Sequence, residues 1–396
     1  MSRAVTADHV LFDECIDAFR RERDDYRPYD KGESYSFLLT PFKISEEWDL
    51  GKLQVSPSIE VTLPGAYSAF ISKVNNPEWV GTHNSHLFGI ALSTIVSEVT
   101  LKPCKSTRDD YLCRRTELSE HDIHQLAIIH PVLVAGPGAN YSTLSMSKQY
   151  QMKEEISNLI DILFSLEYKT YRLVMQSLRL IHLSLITKRD DFGLAYLLIV
   201  SAIESIAQKA IKRDKVKRKD ADEAAWKEKS NEDPLFHSLL EAYLNSRGKN
   251  EYLRERFVKF IEKYAPVENW EQYIVHPMQG MADSIKEINP SQSLEHLTGK
   301  HWFEKYPDDF TQEEINLILS DVYAHRSCFV HRGEQPPHTD PNPSSNRFFQ
   351  EVREYDGYNI KEVILPNYEL LLGVAKHSIY NWASEKLNKA LQRTSR

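Results

Sequence analysis

Arg326 and His331 stand five residues apart in the stretch AHRSCFVHRGEQPPH, Ala324 to His338, with Ser327 directly after the arginine and Gly333 just past the histidine. Arginine offers a permanently charged planar fork that fits phosphate oxygens, and histidine is the side chain best able to pass a proton near neutral pH. Together they suit RNA cleavage without a metal. In that chemistry a ribose 2′-hydroxyl attacks its own phosphate, so the site needs a proton shuttle and a cation for the developing charge, and no external nucleophile. Spacing alone admits a plainer reading, because an Arg or His in the last turn of a helix also complements the helix dipole. On an unbroken helix, positions five apart point about 140° away from each other. Gly333 is placed to end the helix, which would relax that geometry and let His331 swing towards Arg326.

The elements that must position this pair are helical. From Ser147 to Thr187 the chain has neither Gly nor Pro, and Ile156, Leu159, Ile160 and Leu163 begin an apolar stripe that Leu173, Val174, Leu178 and Ile181 continue. This predicts one long helix or two in tandem. Asp190 or Asp191 can cap the next, FGLAYLLIVSAIESIAQKAIK, which is apolar almost all round, belongs at the centre of a bundle and carries Glu204. A further helix from about Gln312 carries the Arg–His pair, and a closing amphipathic helix follows Pro366. Residues 215–307, with helical patterns in PLFHSLLEAYLNS and YLRERFVKFIEKYA, read as an insertion. The first 146 residues differ in texture. A short helix with Cys15, Ile16 and Phe19 on one side precedes β-prone runs such as SYSFLLTPF and YSAFISKV, and HLFGIALSTIVSEVTLK reads as a buried helix. Gly136, Pro137 and Gly138 mark a linker. The expected class is α+β, with a mixed N-terminal module at 1–146 and an all-α bundle at 147–396.

Composition narrows the function. With 396 residues, 41% hydrophobic and 27% charged, the chain has the makeup of a folded protein of two domains. No apolar run reaches the roughly 18–20 residues of a bilayer span and the N-terminus lacks an apolar signal core, so a cytoplasmic location without membrane partners is expected. Four scattered cysteines indicate neither a disulfide framework nor a zinc ribbon. His83, His86, His121 and His124, with Cys104 and Cys113 nearby, lack a tight ligand pattern, so no metal or other cofactor is expected. VAGPGAN lacks the lysine of a phosphate-binding loop. A net charge of −8 argues against general nucleic-acid coating. One basic run, Lys209 to Lys219, contains Lys215, Lys217, Arg218 and Lys219; these are candidate RNA-phosphate contacts or a solvated helix end and linker.

The order of a long helix, LAYLLIVSAIESI, a helix ending LSDVYAHRSCFVHRG and a closing helix resembles the HEPN superfamily, in particular its Apea-like members, over roughly residues 147–391. Arg326 and His331 match that family's R-x4–6-H motif, and Ser327 its polar residue after the arginine. The resemblance implies a helical bundle that dimerises to bring two motifs into one cleft. It also implies endoribonuclease activity in phage defence or toxin systems, with RNA as substrate and a protein trigger or antitoxin as partner. Glu204 matches an acidic residue that orients the motif arginine, a placement an ordinary buried ion pair shares. HEPN bundles also serve as non-catalytic RNA-binding or protein-interaction modules, which is the alternative function. Toxins of this kind that are silenced on a tyrosine carry it shortly after the histidine, where Arg332, Gly333 and Glu334 stand here.

Overall fold

Phe12–Arg20 forms α1, burying Cys15, Ile16 and Phe19. The β-prone runs become β1 (Tyr35–Thr40), β2 (Trp48–Asp49), β3 (Gln54–Val55), β4 (Ile59–Leu63) and β5 (Tyr67–Asn75). All pairs are antiparallel and β5 is the hub: it pairs β1 along one edge, from Tyr35 opposite Asn75 to Thr40 opposite Phe70, and β3 and β4 along the other. The near-continuous apolar run after Asn84 is a helix, α2 (Ser85–Thr100), buried on every side. Short helices α3 (Asp110–Cys113) and α4 (Glu120–Ile129) follow. The computed structural model describes residues 11–20, 34–63, 67–115, 118–133, 144–216, 222–249, 252–276, 278–294, 298–302, 304–334, 347–356 and 359–394. The linker expected at Gly136, Pro137 and Gly138 lies outside the described residues.

The long helical stretch is two helices in tandem, α5 (Met146–Ser165) and α6 (Tyr168–Thr187), separated at Leu166 and Glu167. Asp191 caps α7 (Phe192–Ala210) by accepting from the Leu194 amide at 2.9 Å. In α7, Ile199, Val200, Ile203 and Ile206 are wholly buried, each burial contributing about 1.5–3 kcal/mol. This is also the one helix among the described residues long and apolar enough to cross a membrane, which the sequence reading had not expected of any run; 56% of that stretch is buried inside the protein. Next come α8 (Glu223–Glu232), α9 (Pro234–Lys249), α10 (Leu253–Tyr264) and α11 (Gln279–Ile288). Then α12 (Gln312–Arg332), which holds the Arg–His pair, starts on a capping box between Thr311 and Glu314. The chain closes with α13 (Tyr368–Thr394).

The mixed α+β class holds, but one finer expectation is corrected. The C-terminal part is not all-α: β6 (Phe349–Asp356) and β7 (Asn359–Pro366) form an antiparallel hairpin, Phe349 opposite Pro366, and β7 packs against α12. The cause is plain in NIKEVILP, whose β-branched and apolar residues leave Val363 and Leu365 buried under the helix. The stretch 215–307, read as an insertion, contributes to the core. Phe257, Phe260 and Ile261 of α10 and Trp270 beyond it are buried in the central core, because the amphipathic pattern of LRERFVKFIEKY needs an apolar partner and finds it on α7, α12 and α13. That one core also takes in Phe19, Phe88 and Val96 from the first hundred residues. Polar ties cross as well. Tyr171 donates to the Ile16 carbonyl at 2.7 Å, and His182 Nε2 donates to the Cys104 carbonyl at 2.6 Å. Gly373 of α13 is required by close approach: a Cβ there would lie 2.7 Å from Tyr273 Cβ.

Several ionisable groups are buried, with consequences for pH. Burial holds His182 down at about 3, and His130 and His377 down at about 4. The unfolded chain protonates these histidines below about 6.5, so they make the fold less stable as pH falls from there towards 4. Glu98 acts in the opposite sense. Burial raises it to about 7, with Lys376 pulling it down and Glu155 pushing it up, so folding keeps a proton that the unfolded chain releases above its ordinary value of 4.5. Its contribution is therefore lost as pH rises from about 4.5 to 7. Glu98→Gln is expected to match wild type near pH 4.5 and exceed it by on the order of 2–3 kcal/mol above pH 7, measured by urea unfolding across that range. Equal stabilities at pH 8 would contradict the burial argument.

Candidate functional site

Helix α12 runs without a break through His331 and ends at Arg332, where Gly333 adopts φ 71° and its amide donates back to the Phe329 carbonyl at 3.0 Å. Gly333 ends the helix as its position suggested, but only after the histidine. Within one chain Arg326 and His331 therefore keep the roughly 140° divergence of a regular helix. Ser327 and His331, four apart, share a face one turn from each other; Ser327 is half-buried and His331 exposed.

Arg326 turns the other way, towards α7. Its Nη2 lies 2.8 Å from Glu204 Oε2, with the arginine side chain 21% exposed and the glutamate 6%. Glu204 Oε1 accepts from the Tyr323 hydroxyl at 3.0 Å and from Gln208 Nε2 at 3.2 Å, so both carboxylate oxygens are engaged. Burial, and then the neighbouring Glu204 carboxylate, push the Tyr323 phenol well above its ordinary range, which keeps it a donor. The Arg326 guanidinium carbon sits 5.9 Å from the Tyr323 ring centre, while Phe257 of α10 packs on that ring with centroids 5.7 Å apart. The arginine is thus held from behind by a carboxylate on one helix and an aromatic on its own. Its Nε is buried with no hydrogen-bond partner among the described residues. A cation fixed in this way, with part of its surface open, can receive a phosphate oxygen without reorganising.

The structure brings Arg326 and Glu204 together and places Ser327 and His331 on an adjoining surface. Lys215 lies exposed on a single 3-10 turn, Arg213–Lys215, just past the end of α7. Lys217, Arg218 and Lys219 lie outside the described residues. Among the described residues no three His, Cys, Asp or Glu side chains converge as metal ligands. Cys104 and Cys113 are fully buried, with burial pushing both thiols up, and burial lowers His86. Two contributors were not read from the sequence: Tyr323, three residues before Arg326, and Gln208, four after Glu204. Helical spacing was the available signal for both.

Comparison with known proteins returns nothing to set beside this geometry: no protein-family model, no curated protein and no solved structure matches the chain.

Proposed function

We propose that this chain is a metal-independent endoribonuclease of the HEPN type, cleaving RNA by 2′-hydroxyl attack to leave 2′,3′-cyclic phosphate and 5′-hydroxyl ends. The observation that carries the reading is Arg326, fixed by buried Glu204 on the helix that presents Ser327 and His331 to solvent. Arg326 stabilises charge on the phosphate, His331 moves protons, and Ser327 hydrogen-bonds the histidine or the RNA. Lys215 and the basic residues after it contribute phosphate contacts. The setting that fits is cytoplasmic, in phage defence or a toxin system under a protein trigger or antitoxin.

Because the two motif side chains diverge within one chain, the complete site needs a second copy. Two-fold pairing of the bundle supplies a second cation and both an acid and a base. Exposed Leu317, within about 40° of His331 around α12, gives such a pairing apolar surface. Light scattering at micromolar concentration is expected to give twice the 46.0 kDa chain mass. A monomer that still cleaves RNA would contradict the composite site. The activity itself is tested by incubating the protein with total RNA in EDTA and mapping product ends. Intact RNA that is nonetheless bound would favour the alternative, a non-catalytic RNA-binding module, for which the same divergence of Arg326 and His331 speaks.

A further inference from the structure

A cleft of about 600 Å³ opens where the C-terminal end of α2 meets α5, the 3-10 turn Val267–Tyr273 and α13. None of its lining comes from α7 or α12, so it is separate from Arg326 and His331. Among its lining residues is Glu98, 1% exposed, whose Oε2 has no hydrogen-bond partner among the described residues. A buried acceptor left in that condition is costly unless something fills it. Two of the three lysines lining the cleft are paired with carboxylates: Lys376 Nζ lies 3.0 Å from Glu155 Oε2 and donates to the Val99 carbonyl at 2.7 Å, and Lys188 pairs with Glu369 at 2.5 Å, while Lys148 donates to Gln151 Oε1 at 3.1 Å.

The cleft also contains the last turn of α2, and carbonyls at a helix C-terminus carry partial negative charge. A carboxyl group beside that end favours N–H donors over anions. One wall is flat and aromatic, since Tyr273 stacks on His377 with ring centres 4.0 Å apart and planes 12° from parallel.

We infer that this cleft binds a small planar organic molecule whose edge presents two adjacent N–H donors, an amidinium or a guanine base, with that edge on Glu98 and its ring along the Tyr273–His377 wall. Two parallel N–H groups match the two oxygens of a carboxylate, and the volume is that of an ordinary small-molecule site. Lining residues come from both the first hundred residues and the closing helix, so occupancy tightens the packing of one against the other.

The test is calorimetric titration of the full chain at pH 8, where Glu98 is ionised, with two probes, benzamidine for the amidinium and guanosine for the base, with benzoate and inosine as controls that lack the paired donors. At least one probe is expected to bind, to raise the melting temperature, and to bind at least tenfold more tightly than its control. Glu98→Gln, which removes a buried charge and should fold, is expected to weaken that probe by about tenfold or more. His377→Ala, which takes away half of the stacked wall, must weaken it too. Binding of neither probe, or binding that Glu98→Gln leaves within tenfold of wild type, overturns the assignment. No RNA enters the experiment, so its outcome is independent of the ribonuclease reading.

Discussion

Arg326→Ala is expected to destabilise the protein by about 3 kcal/mol and to abolish RNA cleavage. Breaking a buried ion pair from one side costs about 3–5 kcal/mol, because the remaining charge has lost its counter-ion. Here Glu204 keeps its bonds from Tyr323 and Gln208, and Arg326 is 21% exposed, which places the cost at the lower end. Urea unfolding of four proteins separates the two effects: wild type, Arg326→Ala, Glu204→Gln and the double variant. The double variant should regain most of the lost stability, since no unpaired charge remains, while staying inactive for want of the cation. Arg326→Lys should recover part of the stability and little of the cleavage, because an ammonium lacks the planar fork. A loss under about 1 kcal/mol for Arg326→Ala would show that the pair does not fix the arginine. The ion pair makes Arg326 a compound probe of structure and chemistry, which its spacing from His331 alone did not reveal.

His331→Ala should do the opposite. The residue is exposed in the last turn of α12, so its removal should change stability by no more than about 0.5 kcal/mol. Loss of a proton-transfer group typically costs about 10² to 10⁴ in rate, and a fall of that size in single-turnover cleavage is expected with the melting temperature unmoved. Cleavage retained within a few-fold of wild type would remove the histidine from the chemistry. Ser327→Ala should reduce the rate by less, since its proposed part is to hydrogen-bond the histidine or the RNA and not to transfer the proton.

Local signals in the sequence were sufficient where backbone chemistry decides the structure. Asp191 caps α7, Thr311 and Glu314 close a box at the start of α12, and Gly333 ends it in the left-handed region, each by a hydrogen bond or backbone conformation tied to residue type. Tertiary choices were less accessible. Nothing at Leu166 and Glu167 resembles a Gly or Pro breaker, so the break between α5 and α6 is set by packing. Among charged and aromatic residues, the pattern of LRERFVKFIEKY predicts a helix yet cannot say that Phe257 and Phe260 reach the central core. The β6–β7 hairpin is weakly signalled: in FQEVREYD the apolar Phe349, Val352 and Tyr355 stand three apart instead of alternating, and the Asp-Gly that follows is the one turn signal. At the site, both readings of Glu204, orienting the arginine and forming an ordinary buried ion pair, place it against Arg326, and that contact is the geometry found. Glu98 gave no warning, because a single carboxyl group inside TIVSEVT looks like the polar edge of an apolar helix.

Whether Arg326 and His331 form a metal-free RNA-cleaving site is decided by single-turnover cleavage of RNA in EDTA by wild type and His331→Ala, with product ends mapped and melting temperatures recorded on the same samples. Wild type is expected to cleave and leave 2′,3′-cyclic phosphate ends, and His331→Ala to cleave more slowly by about 10² to 10⁴ while melting like wild type. Cleavage by the variant at the wild-type rate, products without cyclic phosphate ends, or no cleavage by wild type would each contradict such a site.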